Sequence, residues 1–191
     1  MTITEAMNRA VADLDAIKAR WALIGGIAVS VRTEPRFTQD VDFAVAVADD
    51  NEADGVVYQL RSRGYEPCAL MEQDYTDRTA TVRLAVTGTD TIVDLLFASS
   101  GIEREIVAAA TRVRVPGGIK APVATTGHLI AMKALAGRDR DRLDLSNLIP
   151  AASAADLKQA REAVRLIKSR GFSRGEDVVA NLEYYITEAG R

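Results

Sequence analysis

The chain has 191 residues, of which 48% are apolar, so it is long enough to bury one sizeable core. Its net charge of -3 excludes a generally basic surface for nucleic acid, although acidic residues are in excess over the first 100 residues and basic residues over the rest. The single cysteine, Cys68, excludes an internal disulfide. We find no signal-peptide pattern and no apolar run of membrane-spanning length, so we expect no membrane association and a cytoplasmic location.

The N-terminal segment predicts a helix, a short strand and a glycine turn. A capping-box pattern followed by apolar residues at helical spacing predicts a helix within the first 20 residues. Residues 21–24 read as a buried strand, Gly25 and Gly26 follow, and residues 27–31 could open a second helix. Glycines at a helix start let the backbone approach a phosphate, although an ordinary tight turn has the same pattern.

Asp40 and Asp42 stand two positions apart at the start of an apolar alternation. Alternate side chains of a strand point the same way, so the two carboxylates would share one face. Neighbouring carboxylates repel each other unless a cation lies between them or one is protonated. Their hard oxygen ligands suit Mg²⁺, and paired Mg²⁺ ions are a common solution in phosphoryl transfer. The alternative is a pair of aspartates that only serves a strand start or turn.

The middle of the chain predicts a helix, a loop and a hairpin. Asp49, Asp50 and Asn51 offer N-caps for a helix that Gly64 would stop, and residues 65–78 read as an irregular polar loop. Residues 79–87 alternate in polarity, and 91–97 form an apolar second strand after a turn.

Asp94 lies in the middle of that apolar second strand. A charged residue there is unfavourable unless it is paired or coordinated. We predict that Asp94 is a third metal ligand beside Asp40 and Asp42; the alternative is a buried salt bridge, for which Arg83 is the nearest candidate.

Residues 116–122, with two prolines and two adjacent glycines, form the strongest break in the chain. Before the break, 102–110 predicts a helix and 111–115 a short strand. We therefore predict an α/β core over residues 1–115 and a helical C-terminal part over 123–191. The fold class is α/β, or α+β by strict naming, with a mixed sheet of about five strands.

Lys133 occupies an unusual position in the helix predicted to begin at the threonines 125–126. Its spacing from Leu129 and Ile130 places it on or beside the apolar stripe, where lysine is rare without an anion. The anions that the sequence offers are the carboxylates at 40, 42 and 94 and a bound triphosphate, and we prefer the triphosphate. The alternative is a side chain that extends to solvent.

The remaining C-terminal residues predict three further helices. Asp141 and Asp144 would share one face of the first, in a segment that otherwise suggests surface ion pairs. Capping-box patterns predict the last two over 154–170 and 174–188. A basic stripe on the former suits RNA phosphates or merely solvent; it consists of Arg161, Arg165 and Lys168.

Several of these elements, in this order, resemble the AbiEii-type nucleotidyltransferases of the DNA polymerase β-like superfamily, many of which are toxins of toxin–antitoxin pairs. The resemblance extends over roughly residues 20–148. The matching residues are Gly25-Gly26-x-Ala28, Arg36-x-Thr38-x-Asp40-x-Asp42-Phe43, Asp94, the stretch Leu129 to Lys133, and Arg140-Asp141-x-x-Asp144-Leu145.

The resemblance implies a role for each candidate site residue. Gly25 and Gly26 would contact nucleotide phosphates, and Asp40 and Asp42 would hold Mg²⁺. Asp94 would act as the base or a metal ligand. The helical part would contribute residues to the nucleotide site: Lys133 would meet the triphosphate, while Asp141 and Asp144 would face the site.

The resemblance implies Mg²⁺-dependent transfer of a nucleoside monophosphate from an NTP to an acceptor hydroxyl. The toxin resemblance suggests RNA, in particular a tRNA 3′ end, as the acceptor and an antitoxin protein as a possible partner. A small-molecule or protein hydroxyl is the other acceptor left open by the sequence. The alternative is a catalytically idle protein of the same fold that binds a nucleotide or a partner protein. The chain has no G-x-x-x-x-G-K-[ST] sequence and no cysteine cluster, so neither a P-loop NTPase nor a zinc site is expected.

Overall fold

A computed structural model describes residues 1–73 and 76–191. Within these residues, seven strands form one mixed sheet and eight helices surround it. The strands are β1 (Trp21–Leu23), β2 (Asp40–Val45), β3 (Tyr65–Gln73), β4 (Arg78–Val86), β5 (Ile92–Leu96), β6 (Thr111–Arg114) and β7 (Lys120–Val123). The helices are α1 (Ile3–Ala16), α2 (Gly25–Arg32), α3 (Asp50–Arg61), α4 (Glu103–Ala109), α5 (Thr126–Ala136), α6 (Asp139–Ala151), α7 (Ala154–Ser169) and α8 (Val178–Glu188).

The predicted fold class is confirmed, with more strands than the five expected. The strand order is β3-β4-β5-β2-β1-β7-β6. β2 runs parallel to β5 and antiparallel to β1, while β1 runs parallel to β7. The parallel pairing of β2 with β5 places Asp42 directly beside Asp94, and this register organises the candidate site.

Several local signals act as the sequence predicts. Thr2 and Glu5 form the capping box of α1, and Ser153 forms that of α7. Asp49 caps α3 through the backbone N–H of Glu52. These contacts form because short polar side chains satisfy the free N–H groups of a first helical turn.

Residues 65–73 were predicted to be part of an irregular loop, and this is wrong. They form the nine-residue strand β3, which pairs with β4 at the edge of the sheet. All side chains of β3 between its first and last residue are exposed, so neither face carries the alternation of polar and apolar residues that marks a half-buried strand. Pro67 lies beside a register shift, as is usual for proline at a sheet edge. The rest of the predicted loop includes residues 74–75, which lie outside the described residues.

The predicted break at 116–122 contains a strand. Its first residues form a turn, and β7 then pairs antiparallel with β6 and parallel with β1. The sheet therefore continues past the predicted boundary, while the division into a core and a helical part stays a prediction. The capping box predicted at Ser173 is also wrong, because α8 begins at Val178 with Asp177 as its N-cap.

The core is continuous from the sheet into the C-terminal helices. Buried apolar residues of α1, the central strands, α5, α6 and α7 belong to one cluster. Helix α5 packs against both α2 and α7, which joins the helical part to the side of the sheet where α2 begins. In the described part of the chain, no helix is both long enough and apolar enough to cross a membrane.

Candidate active site

A cavity of about 550 Å³ opens where β2, β5, the start of α2 and the end of α5 meet. Seven of the eight predicted site residues line it, whereas Asp144 does not. The seven are Gly25, Gly26, Asp40, Asp42, Asp94, Lys133 and Asp141. The tertiary structure thus brings together groups that are more than 100 positions apart in the chain.

The floor of the cavity is a row of charges across three adjacent strands. Arg83 of β4 pairs with Asp94 of β5, which is in register with Asp42 of β2. Asp40 lies two residues before Asp42 on the same strand face. Burial raises the pKa of Asp42 to about 6, the charge of Asp94 adds to the rise, and Lys133 opposes it. A carboxylate in this state is stabilised by any cation that enters the cavity.

Asp94 forms the salt bridge that the sequence left as the alternative. Arg83 donates to both carboxylate oxygens, with Nε–Oδ1 and Nη2–Oδ2 distances of 2.9 and 2.7 Å. This paired geometry is the strong bidentate form, and it raises the pKa of Arg83. Each oxygen of Asp94 thus already accepts one hydrogen bond, so Arg83 competes with a metal ion for this carboxylate.

Gly25 and Gly26 begin α2 directly above the carboxylates. Gly25 has a φ of +63°, and a β-carbon there would overlap Asp42 Oδ2. At Gly26 a β-carbon would lie 2.7 Å from Thr38 Oγ1 and 2.9 Å from Arg36 Nη2. Both positions thus require glycine, because other groups of the site fill the space that a side chain needs. The N-cap, Ile24, has no polar atom to satisfy the first N–H groups of the helix.

Lys133 lines the cavity, but its ammonium also has two buried partners that were not predicted for it from the sequence. The ammonium lies 2.8 Å from Asp141 Oδ1 and 2.8 Å from Asp144 Oδ2. Both aspartates are buried on the inner face of α6, four and seven positions after the helix C-cap of α5. The packing of α6 against α5 makes these contacts, and contact of Lys133 with a triphosphate stays a prediction.

Two arginines complete this arrangement, which we call the ion-pair cluster: Arg36, Lys133, Arg138, Asp141 and Asp144. Arg36 Nε lies 2.7 Å from Asp144 Oδ1, and Arg138 Nε lies 2.7 Å from Asp141 Oδ2. Burial works to raise the pKa of Asp141, but hydrogen bonds from Arg138 and Lys133 outweigh it and the pKa is lowered. Asp141 therefore remains a charged partner of the cations around it.

Other cavity-lining cations had no assigned role in the sequence. Arg138 and Arg140 belong to the dense run of alternating charges. Such a run does not indicate which of its side chains face a cavity and which face solvent. Arg174 reaches the cavity from the segment before α8 and donates to Ser99 O. No sequence signal marks Arg174, because the segment was predicted to be helical. The basic stripe on α7 is partly neutralised, since Arg161 pairs with Glu183 and Lys168 with Asp177.

The residues present fit a divalent cation through two carboxylates. Asp40 and Asp42 face the cavity, and the pKa of Asp42 is raised first by burial and then by the negative charges of Asp94 and Asp40. Among residues 1–73 and 76–191, no group of three or more His, Cys, Asp or Glu side chains is arranged to hold a metal. A third ligand from Asp94 would have to share its carboxylate with Arg83.

A sheet of this order with paired aspartates beside a glycine-initiated helix defines a nucleotidyltransferase. The AbiEii family, described as nucleotidyl transferase AbiEii toxin of type IV toxin–antitoxin systems, matches residues 9–171. The chain belongs to this family of nucleotidyltransferase enzymes. The family resemblance seen in the sequence is thereby confirmed.

Solved structures of nucleotidyltransferases resemble the chain over nearly its whole length. A nucleotidyltransferase-like protein from Paracoccidioides brasiliensis is 19% identical with a TM-score of 0.53, over 94% of this chain and 91% of that one. MenT4, a nucleotidyltransferase toxin from Mycobacterium tuberculosis, is 16% identical with a TM-score of 0.47, over 97% and 91%. Comparison with curated protein sequences gives no match. At this level of identity, structural likeness supports the fold and does not specify the substrate.

Proposed function

We propose that this nucleotidyltransferase moves a nucleoside monophosphate from an NTP to an RNA hydroxyl, for which a tRNA 3′ end is the leading candidate, and that it uses Mg²⁺. The observation that carries the proposal is the position of Asp42. Its carboxylate packs against Gly25, so a cation ligand and the free N–H groups of a helix start open on the same cavity. A carboxylate that can bind a cation and N–H groups that can bind an anion together suit a metal-bound phosphate.

Asp40 and Asp42 would hold the cation. When bound, Mg²⁺ supplies positive charge that neutralises the α-phosphate and the departing pyrophosphate. The backbone N–H groups at Gly25 and Gly26 would orient the phosphates. These residues contribute position and electrostatics, which are the main sources of catalysis in phosphoryl transfer.

The acceptor hydroxyl attacks the α-phosphorus, the bond to the β-phosphate oxygen breaks, and pyrophosphate leaves. Asp94 is the predicted base for the hydroxyl proton. Because Arg83 donates to both oxygens of Asp94, loosening of this pair would make the carboxylate a better acceptor for that proton. Opening of the Arg83–Asp94 pair would then be part of acceptor binding.

Family membership supports a toxin-like role and a protein antitoxin as the partner. The proposal of RNA as the acceptor rests on that membership. The cavity is also lined by several cations from the helical part, which would suit a polyanionic acceptor. A small-molecule or protein hydroxyl is the competing acceptor.

Incubation of the protein with α-³²P-labelled NTPs and total RNA, with and without Mg²⁺, tests the proposal. We expect Mg²⁺-dependent label on RNA with the wild type and none with Asp42→Asn. Asp54→Asn is the matched control, because Asp54 is exposed on α3 and outside the cavity, and it should label RNA normally. A melting-temperature shift with NTP but no transfer to any acceptor would support the idle binding protein, and label on protein alone would overturn RNA as the acceptor.

A further inference from the structure

We propose that Arg36 is a further phosphate-binding residue of the NTP site and that Asp144 is a positioning residue that aims it. The inference rests on the proposed NTP site and deepens it. Arg36 lies in the segment before β2, and Asp144 lies on the inner face of α6. Neither the glycine turn nor the paired aspartates require an arginine at position 36, so its placement needs a separate explanation.

The guanidinium of Arg36 covers the first turn of α2. Its Nη2 atom is 2.9 Å from the position that a β-carbon on Gly26 would occupy, and Arg36 lines the cavity with Gly25 and Gly26. The cation therefore stands next to the helix start that would receive the phosphates. A guanidinium there adds a full positive charge and directional donors to the weaker field of the helix terminus.

Arg36 retains donors for a ligand. A guanidinium has five N–H groups. Among the described contacts, Nη2 donates one to Asp144 Oδ2 and Nη1 donates one to Phe37 O at 3.0 Å. Nε lies 2.7 Å from Asp144 Oδ1 but is not aligned for a hydrogen bond. Two N–H groups are left on the outer nitrogens, and the side chain is 20% exposed where it faces the cavity. An anion in the cavity can take these donors without breaking the pair with Asp144.

Asp144 is placed to hold Arg36 and not to bind the nucleotide. Its side chain is 1% exposed and is not among the described groups that line the cavity. Oδ1 lies 2.7 Å from Arg36 Nε, and Oδ2 accepts from Arg36 Nη2 at 2.9 Å while it contacts the Lys133 ammonium at 2.8 Å. One buried carboxylate thus fixes the direction of two cavity-lining cations.

The charge balance of the ion-pair cluster favours an anionic ligand. Three cations surround two carboxylates, so the cluster holds one more positive charge than negative. Arg36 and Lys133 both contact Asp144 and also line the cavity.

The test compares affinities for ATP, GTP, CTP and UTP, and for the corresponding nucleosides, by calorimetric titration with Mg²⁺ and no acceptor. We expect Arg36→Gln to weaken binding of the preferred NTP by about tenfold or more while nucleoside binding stays the same. Arg36→Lys should recover only part of this affinity, because an ammonium keeps the charge but lacks the planar pair of N–H donors of a guanidinium. Asp144→Asn should weaken NTP binding by about threefold to tenfold, because the Arg36 guanidinium is then no longer held in its orientation by a carboxylate.

The double variant Arg36→Gln/Asp144→Asn separates ligand binding from stability. Removing both charges should restore much of the melting temperature lost in Arg36→Gln but not the NTP affinity. Recovery of affinity together with stability, or unchanged affinity in Arg36→Gln, would overturn the inference. Arg114→Gln, at an exposed position on β6, is the matched control and should bind NTP as the wild type does. If the wild type itself binds no NTP, the proposed function fails, and the inference fails with it.

Discussion

The carboxylate of Asp42 occupies the space that a β-carbon on Gly25 would need. The contact joins the carboxylate face of β2 to the start of α2, to which we assign the cation and the phosphates in the proposed function. Residue 25 is therefore restricted to glycine for two reasons: the tertiary contact with Asp42 and its φ of +63°. A matched position exists at Gly137, which has a φ of +64° but open space where a β-carbon would stand.

Gly25→Ala should therefore be more harmful than Gly137→Ala. At Gly137 only the left-handed backbone is strained, and we expect a loss of about 1 kcal/mol in the free energy of unfolding. At Gly25 the overlap with Asp42 adds a further loss of about 1–3 kcal/mol and displaces the carboxylate, so transfer activity should fall as well. Denaturant melts and label-transfer assays on both variants check this. Equal losses of stability would show that Asp42 moves aside freely.

Asp42→Asn should abolish transfer and stabilise the metal-free protein at neutral pH. Because the pKa of Asp42 is raised from 3.8 to about 6, the folded state holds its proton more tightly than the unfolded state does. Wild-type stability from this group is complete below pH 4 and is lost as the pH rises through 6. The gain in Asp42→Asn should grow over that window to about 1–3 kcal/mol above pH 6.

Melting curves from pH 4 to 8 with a chelator present measure the effect of Asp42→Asn. Asp54→Asn supplies the control for the loss of one carboxylate, since Asp54 is exposed on α3 and lies outside the cavity. A variant less stable than the wild type at pH 7 would mean that Asp42 has a stabilising partner, and its proposed role as a cation ligand would have to be abandoned.

Lys133→Met should strongly destabilise the protein even without nucleotide. The substitution leaves the buried carboxylates of Asp141 and Asp144 without the cation between them. Removal of one member of a buried ion pair costs about 3–5 kcal/mol, and because Arg138 and Arg36 remain beside the two aspartates we expect the lower end of that range. Lys168→Met is the control, since that lysine pairs with Asp177 at the surface and its loss should cost less than about 1 kcal/mol. Similar melting temperatures for the two variants would contradict the buried role of Lys133.

Arg83→Gln should tighten the binding of Mg²⁺. The substitution frees both oxygens of Asp94 beside Asp42, which adds negative charge and a potential third ligand to the cavity. We expect the apparent Kd for Mg²⁺ to fall about threefold to tenfold in a titration followed by melting temperature. An unchanged Kd accompanied by lower stability would show that Asp94 serves only the salt bridge.

The sequence by itself identified the local features of this protein. Capping residues, alternation in β2 and β4, and the spacing of Asp40 and Asp42 depend on neighbours within a few positions, so they can be read along the chain. The family resemblance added the expected grouping of distant residues. The edge strand β3 escaped detection, since its exposed side chains leave no periodic pattern.

Tertiary structure decided which charges are partners. The register of β2, β5 and β4 places Asp94 between Asp42 and Arg83. The packing of α6 against α5 places two buried aspartates within ion-pair distance of Lys133. Electrostatic pairing depends on separations of a few ångströms between side chains that are far apart in the chain. Residue type and spacing mark a charge as buried, but only the packed arrangement of strands and helices fixes the group that neutralises it.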